Sequence, residues 1–213
     1  MSRPTTSEAL LANDWPVSKV VACVRTKSKN DIVQFLRERH EERFFDPIQR
    51  LTSTGNKHGY GFAIMALCSL LIETIQCYQY GLPSTNAREL NALGVPKAEW
   101  KSGREAFNEF FSNPTHQGLF PNVDGDSFYS NIRNGLLHQA QTKDGWKIKT
   151  GQPLLWNAKD KIIDRDKFSG ALRKAFAAYL EELSKSDCAV EIWVNAIQKI
   201  CWLVRISSAT PCP

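Results

Sequence analysis

Apolar residues recur at helical spacing along most of this chain. Ile32, Phe35, Leu36, Phe44 and Ile48 mark one face of a helix predicted to start at an Asn30 or Asp31 cap and to run to about Leu51. Its middle, from Arg37 to Arg43, is a charge run that reads as a solvated face, and Pro47 is placed to kink or split the helix. A polar loop from Thr52 to Gly61 follows. The stretch from about Gly59 to Tyr80 is apolar on nearly every side, as expected of the central helix of a bundle, and Gly81 supplies a stop. Residues 82–101, with Pro83 and Pro96, read as loop. Ser102 opens a short helix carrying Phe107, Phe110 and Phe111, which Asn113-Pro114 ends. Asp126 caps a helix from Ser127 to about Gln141, with Phe128, Ile132, Leu136 and Leu137 facing inward.

Residues 146–163 change character. Trp146, Ile148 and Thr150 alternate with lysines, and Gly151-Gln152-Pro153 forms a turn, so a small β-ribbon is expected between helices. Asp164 or Asp166 then caps a helix over 166–185, and a last amphipathic helix runs from about Ala189 to Val204. Residues 1–27 give no single prediction: Ser18–Thr26 suits a short strand or a helix. The expected fold is mainly α, a helical bundle with a small β elaboration. It divides into an N-terminal segment of undetermined structure (1–27), one helical domain (28–206) and a flexible tail (207–213).

Composition narrows this picture modestly. With 213 residues, 42% hydrophobic and 23% charged, the chain can bury a core and is not expected to be disordered. A net charge of +5 permits an anionic partner without demanding one. None of the six cysteines forms a C-x-x-C pair, and no histidine lies at zinc-ligand spacing from them. Cys68, Cys77 and Cys201, inside apolar runs, read as buried reduced thiols, which fits a reducing cytoplasm. The N-terminus lacks the apolar core of a signal peptide. Phe62–Tyr78, interrupted by Ser69, Glu73, Thr74 and Gln76, has apolar runs too short for a bilayer span and reads as a core helix.

Chemistry concentrates in Phe128-Tyr129-Ser130-Asn131-Ile132-Arg133-Asn134-Gly135-Leu136-Leu137-His138. A guanidinium stays charged and can clamp phosphate oxygens through two N–H groups, and an imidazole ordinarily titrates near neutrality. RNA carries its own nucleophile, the 2′-hydroxyl, so cleavage needs a base or acid beside it and positive charge at the phosphate. Asn134 and His138 are four apart and share a helix face. Arg133 and His138 are five apart, which an ideal helix sets about 140° apart. On that geometry one copy presents the pair awkwardly, and two copies about a dyad combine it better. Gly135 allows a bend or a close approach. The alternative is that Arg133 and His138 simply solvate a helix end, where the dipole favours basic groups.

The run Arg133, Asn134, then His138 four residues later, late in a bundle and after a long apolar helix, resembles the signature of the HEPN superfamily of helical nucleotide-binding domains. The likeness in layout covers roughly residues 30–205, and in motif about ten residues. It implies a metal-independent, cofactor-free, homodimeric endoribonuclease that leaves a 2′,3′-cyclic phosphate, in a prokaryotic defence or toxin role, with an antitoxin or regulatory protein as a possible partner. Arg133 and His138 would be catalytic, with Asn134 assisting. Some members of the superfamily are inactive and bind nucleotides or proteins, which is the alternative function. A third possibility is an interaction subunit that docks through the apolar last helix, Ile192–Val204.

Around the motif, Glu73 is the one acid inside the central apolar helix. A buried carboxylate needs a partner, so it is expected either to orient Arg133 or His138 or to face solvent with another partner. Tyr129, one turn before Arg133, either reaches substrate or packs half-buried. Lys143, Lys147 and Lys149, with Lys159, Lys161, Arg165 and Lys167, can track an RNA backbone while Trp146 or Trp156 stacks a base, or can line a solvated sheet edge. His40 sits in the charge run, and His58 and His116 in loops. No metal pattern, Walker loop or G-x-S-x-G elbow occurs.

Overall fold

The computed structural model describes residues 8–54 and 59–207. His58, Cys212 and the predicted tail beyond Ser207 lie outside them. Over the described residues the chain is mainly helical with two small sheets.

β1 (Leu10–Ala12) and β2 (Trp15–Pro16) pair antiparallel and lead into α1 (Val17–Thr26). The helix wins over the strand for this β-branched run because Val17, Val20, Val21 and Val24 share one face and are buried there together. Leu11, Trp15 and this valine face join the same core as the later helices.

α2 (Lys29–His40) and α3 (Asp46–Ser53) form one continuous helix through a π-turn at Glu41–Phe45, where the Asp46 N–H donates to the carbonyl of Glu41, five residues back. Pro47 brings no N–H and its ring crowds the carbonyl four residues earlier; widening the preceding turn accommodates it without a break. The charge run here is not uniformly solvated. His40 is 1% exposed, packed among Phe44, Tyr78 and Phe176. Arg39 and Arg43 both reach back to the carbonyl of Leu11.

α4 (Tyr60–Tyr80) is the central helix and ends at Gly81, whose φ of 69° is left-handed. It is long and apolar enough by length and composition alone to cross a membrane (21 residues, with an 18-residue window of mean hydropathy 1.6), a test that a core helix also passes. In this fold it is the core helix instead, packed against α3 and against α6 (Gly103–Ser112), α9 (Asn134–Gln139), α10 (Arg165–Lys185) and α11 (Glu191–Ser207). Between α4 and α6 the expected loop holds α5 (Ala87–Ala92), capped by Asn86, and a short 3₁₀ turn. Ser102 and Glu105 form a reciprocal capping box at the start of α6. α7 (Pro114–Gln117) follows, and buries His116 rather than leaving it in a loop.

The expected ribbon is a three-stranded sheet of β3 (Lys147–Lys149), β5 (Ile162–Asp164) and β4 (Trp156–Asn157), with β5 in the middle, parallel to β3 and antiparallel to β4. Asp164, fully buried, is the cap of α10, accepting from Asp166 and Lys167, and its other oxygen accepts from Gln152. Cys68 and Cys77 are buried free thiols as expected. Cys201 is disulfide-bonded instead.

Candidate functional site

The motif helix starts earlier than expected, at α8 (Gly125–Ser127), with Asp124 rather than Asp126 as its cap. It then passes through a π-turn at Phe128–Arg133, closed by the Asn134 N–H on the carbonyl of Tyr129, and continues as α9. The inward residues Phe128, Ile132 and Leu136 are each four apart. That spacing overshoots an α-turn and falls short of a π-turn, so one of each keeps all three on the core.

Just past α9 the chain doubles back over Gly135. A Cβ at that position would lie 2.4 Å from the carbonyl oxygen of Gln141 and 3.1 Å from Cα of Thr142. The Lys143 N–H then bonds the carbonyl of Asn131 at 2.8 Å, tying the β elaboration to the motif helix. The close approach expected of Gly135 is therefore to the returning strand connection, not to another helix.

Arg133 is held from several directions. Its Nε donates to Glu73 Oε1 at 2.5 Å, and both side chains are largely buried, 18% and 15% exposed. Its Nη1 donates to Asn134 Oδ1 at 3.0 Å and lies 3.5 Å from His138 Nε2. Its guanidinium also sits 5.5 Å from the centre of the Tyr129 ring. Glu73 thus faces the motif rather than solvent. Its second oxygen accepts from Thr85 at 3.3 Å. Thr85 belongs to the segment after α4, where buried Lys199 donates to the Pro83 carbonyl at 2.6 Å. Burial lowers the Lys199 pKa.

The expected awkward separation of Arg133 and His138 is overturned. The helix spiral does set their Cα atoms on different sides, but the long Arg133 side chain, pinned along the surface by Glu73 and Asn134, carries its charge to the imidazole within one chain. A dyad is not needed to unite the pair. His138 is exposed at the helix end, where Ala140 takes a left-handed conformation. At 3.5 Å the guanidinium can donate to Nε2 only when that nitrogen carries its lone pair, the form that accepts a proton.

The basic cluster is only partly one surface. Lys147 and Lys149 are exposed on β3 and Lys143 is half-buried, but Arg165 is 5% exposed and Lys161 pairs with Asp144 at 2.9 Å. Trp146 and Trp156 are both buried and packed against each other, 3.9 Å between ring centres with the planes tilted by 30°, so neither offers a face to a base. Arg104, in the first turn of α6, was missed: its guanidinium lies 5.4 Å from the Tyr129 ring centre, beside the motif. A cation in the first helical turn, against the dipole, is the one sequence signal that could have marked it. Among the described residues no group of three or more His, Cys, Asp or Glu is placed to hold a metal.

No family model, curated protein or solved structure matches this chain.

Proposed function

We propose that this chain is a metal-independent endoribonuclease of HEPN type. The observation that carries the reading is the Arg133 guanidinium, fixed by Glu73 and Asn134, 3.5 Å from an exposed imidazole. A permanent cation beside an exposed proton acceptor is what attack by a 2′-hydroxyl on its own phosphodiester requires. His138 takes the hydroxyl proton, Arg133 neutralises charge building on the phosphate, and the products are a 2′,3′-cyclic phosphate and a 5′-hydroxyl. Asn134 keeps Nη1 aimed at His138, and Lys143, Lys147 and Lys149 are the RNA-tracking cations.

One chain supplies one histidine at the site, while the leaving 5′-oxygen also needs a proton. A second copy would bring a second His138. The face of α4 that carries Glu73 also carries Phe62, Ala66 and Leu70, of which Phe62 and Leu70 are each 40% exposed. This apolar stripe running into the site is the surface on which a homodimer would close. A prokaryotic defence or toxin role, with an antitoxin or regulatory partner, follows from the HEPN resemblance; a cytoplasmic setting is supported by the free thiols of Cys68 and Cys77.

The test is labelled RNA with purified protein in EDTA. Cleavage by the wild type that disappears in His138→Ala, with unchanged thermal stability, supports the enzyme. Absence of cleavage across varied RNAs favours the other reading, an inactive HEPN-like module that binds a nucleotide or protein at Arg133 and His138. Native mass spectrometry of Leu70→Asp tests the dimer: the wild type is dimeric at micromolar concentration and the variant monomeric, whereas a monomeric wild type removes the second histidine.

A further inference from the structure

Arg104 lies about thirty positions before the motif in sequence but shares an aromatic ring with Arg133. Each guanidinium lies within 5.5 Å of the Tyr129 ring centre. The Tyr129 ring is itself fixed, wedged against Gly103, where a Cβ would come within 3.0 Å of it, and packed on Phe107. Arg104 is further held by Asp126 at 2.8 Å and by Ser130 Oγ at 3.2 Å, yet its side chain is 52% exposed.

Helix stability does not account for this placement. A cation in the first turn of α6 opposes the helix dipole, and the capping box of Ser102 and Glu105 already serves that helix end. The ion pair with Asp126 is exposed on both sides, and such pairs contribute little. What the arrangement does achieve is a second, pre-oriented and solvent-facing guanidinium beside the first, with one rigid ring shared by both. Consecutive phosphates along a single strand present repeated anionic groups to such a pair, and guanidinium forks suit their oxygens.

We propose that Arg104 is a phosphate-binding residue for the RNA strand, gripping a phosphate that flanks the one at Arg133 and His138, with Tyr129 as the common wall. This rests on the ribonuclease reading of that site. Arg104 is here a substrate-binding group and takes no proton.

The experiment uses the full chain and a short single-stranded RNA whose 2′-hydroxyls are methylated, so that binding is read without cleavage. Affinity is followed by fluorescence anisotropy as salt is raised. Loss of one phosphate contact on a single strand lowers the slope of log affinity against log salt by about 0.7. The expected result is that drop in Arg104→Gln, alike for different sequences, and retention of the wild-type slope in Arg104→Lys. The same drop is expected when Arg104→Gln is made in an Asp126→Asn background, where no ion pair remains to be lost. An unchanged slope with lowered thermal stability would overturn the proposal, reducing Arg104 to a brace for Asp126 and Ser130, and would leave the ribonuclease reading standing. A wild type with no salt-dependent RNA binding overturns both.

Discussion

Glu73 offers the sharpest handle on how Arg133 is held. The two side chains meet at 2.5 Å with 15% and 18% exposure, so deleting the carboxylate leaves a guanidinium in a mostly dry setting. Breaking a buried ion pair by removing one partner costs about 3–5 kcal/mol, and the residual exposure here puts Glu73→Leu at the lower end, about 3 kcal/mol. Glu73→Gln keeps an oxygen for the Nε–H and loses only the charge. It should cost about 1–2 kcal/mol, the difference between a charge-assisted and a neutral hydrogen bond. In a domain this size about 1 kcal/mol moves the melting temperature by about 2–4 °C, so the expected falls are about 6–12 °C for Leu and about 2–8 °C for Gln. Removing both charges in Glu73→Leu/Arg133→Leu should recover much of the loss, because an apolar pair tolerates the site better than one orphaned charge. Thermal unfolding followed by circular dichroism measures these variants and wild type, together with Arg133→Leu alone, which completes the double-mutant cycle. A Glu73→Leu melting within about 1 °C of wild type, or a coupling below about 0.5 kcal/mol in the double-mutant cycle, would refute the claim that Glu73 anchors Arg133.

Two further predictions concern stability. Gly135→Ala sets a methyl 2.4 Å from a backbone carbonyl, so the returning segment at Gln141–Lys143 must shift. The expected cost is about 1–3 kcal/mol, with faster hydrogen exchange at the Lys143 amide, and a variant as stable as wild type would contradict the close approach. Burial pushes the His40 pKa down to about 3, opposed by the Leu36 carbonyl and aided by Arg39, Arg43 and Lys199. The unfolded imidazole titrates near 6.5, so between about pH 6.5 and 3 the unfolded chain binds the extra proton. Stability from this group is therefore full above about pH 6.5 and lost as pH falls, by up to about 1.4 kcal/mol per unit. His40→Phe should flatten that part of the profile, and also removes Nε2, which is buried without a hydrogen bond; an unaltered acid profile would count against it.

Where the sequence succeeded and where it failed follows the range of the forces involved. Gly81, Ser102 and Asp164 act on their own helix ends, so their capping roles were readable locally. Glu73 was readable for a different reason: one acid in an apolar helix must find a cation, although only the fold shows that the cation is Arg133. The π-turns were not foreseen, because Pro47 and the four-residue spacing of Phe128, Ile132 and Leu136 are each compatible with a kink or with plain α-helix. His40 was misjudged because the rings that bury it, Tyr78 and Phe176, come from helices far along the chain. Trp146 and Trp156 bury each other across the small sheet, a pairing that strand alternation alone does not reveal. The approach of Arg133 to His138 was not readable either, since helix angles locate Cα atoms and not the end of an arginine.

The ends of the RNA fragments bear most directly on the role given to Arg133 and His138. Mass spectrometry of products made in EDTA should find a 2′,3′-cyclic phosphate on one side of the cut and a 5′-hydroxyl on the other. A substrate with a single 2′-deoxynucleotide at the cut site should resist completely, and His138→Ala should yield no fragments while melting like wild type. Fragments bearing a 5′-phosphate, cleavage of the deoxy-substituted strand, or full activity in His138→Ala would contradict the account.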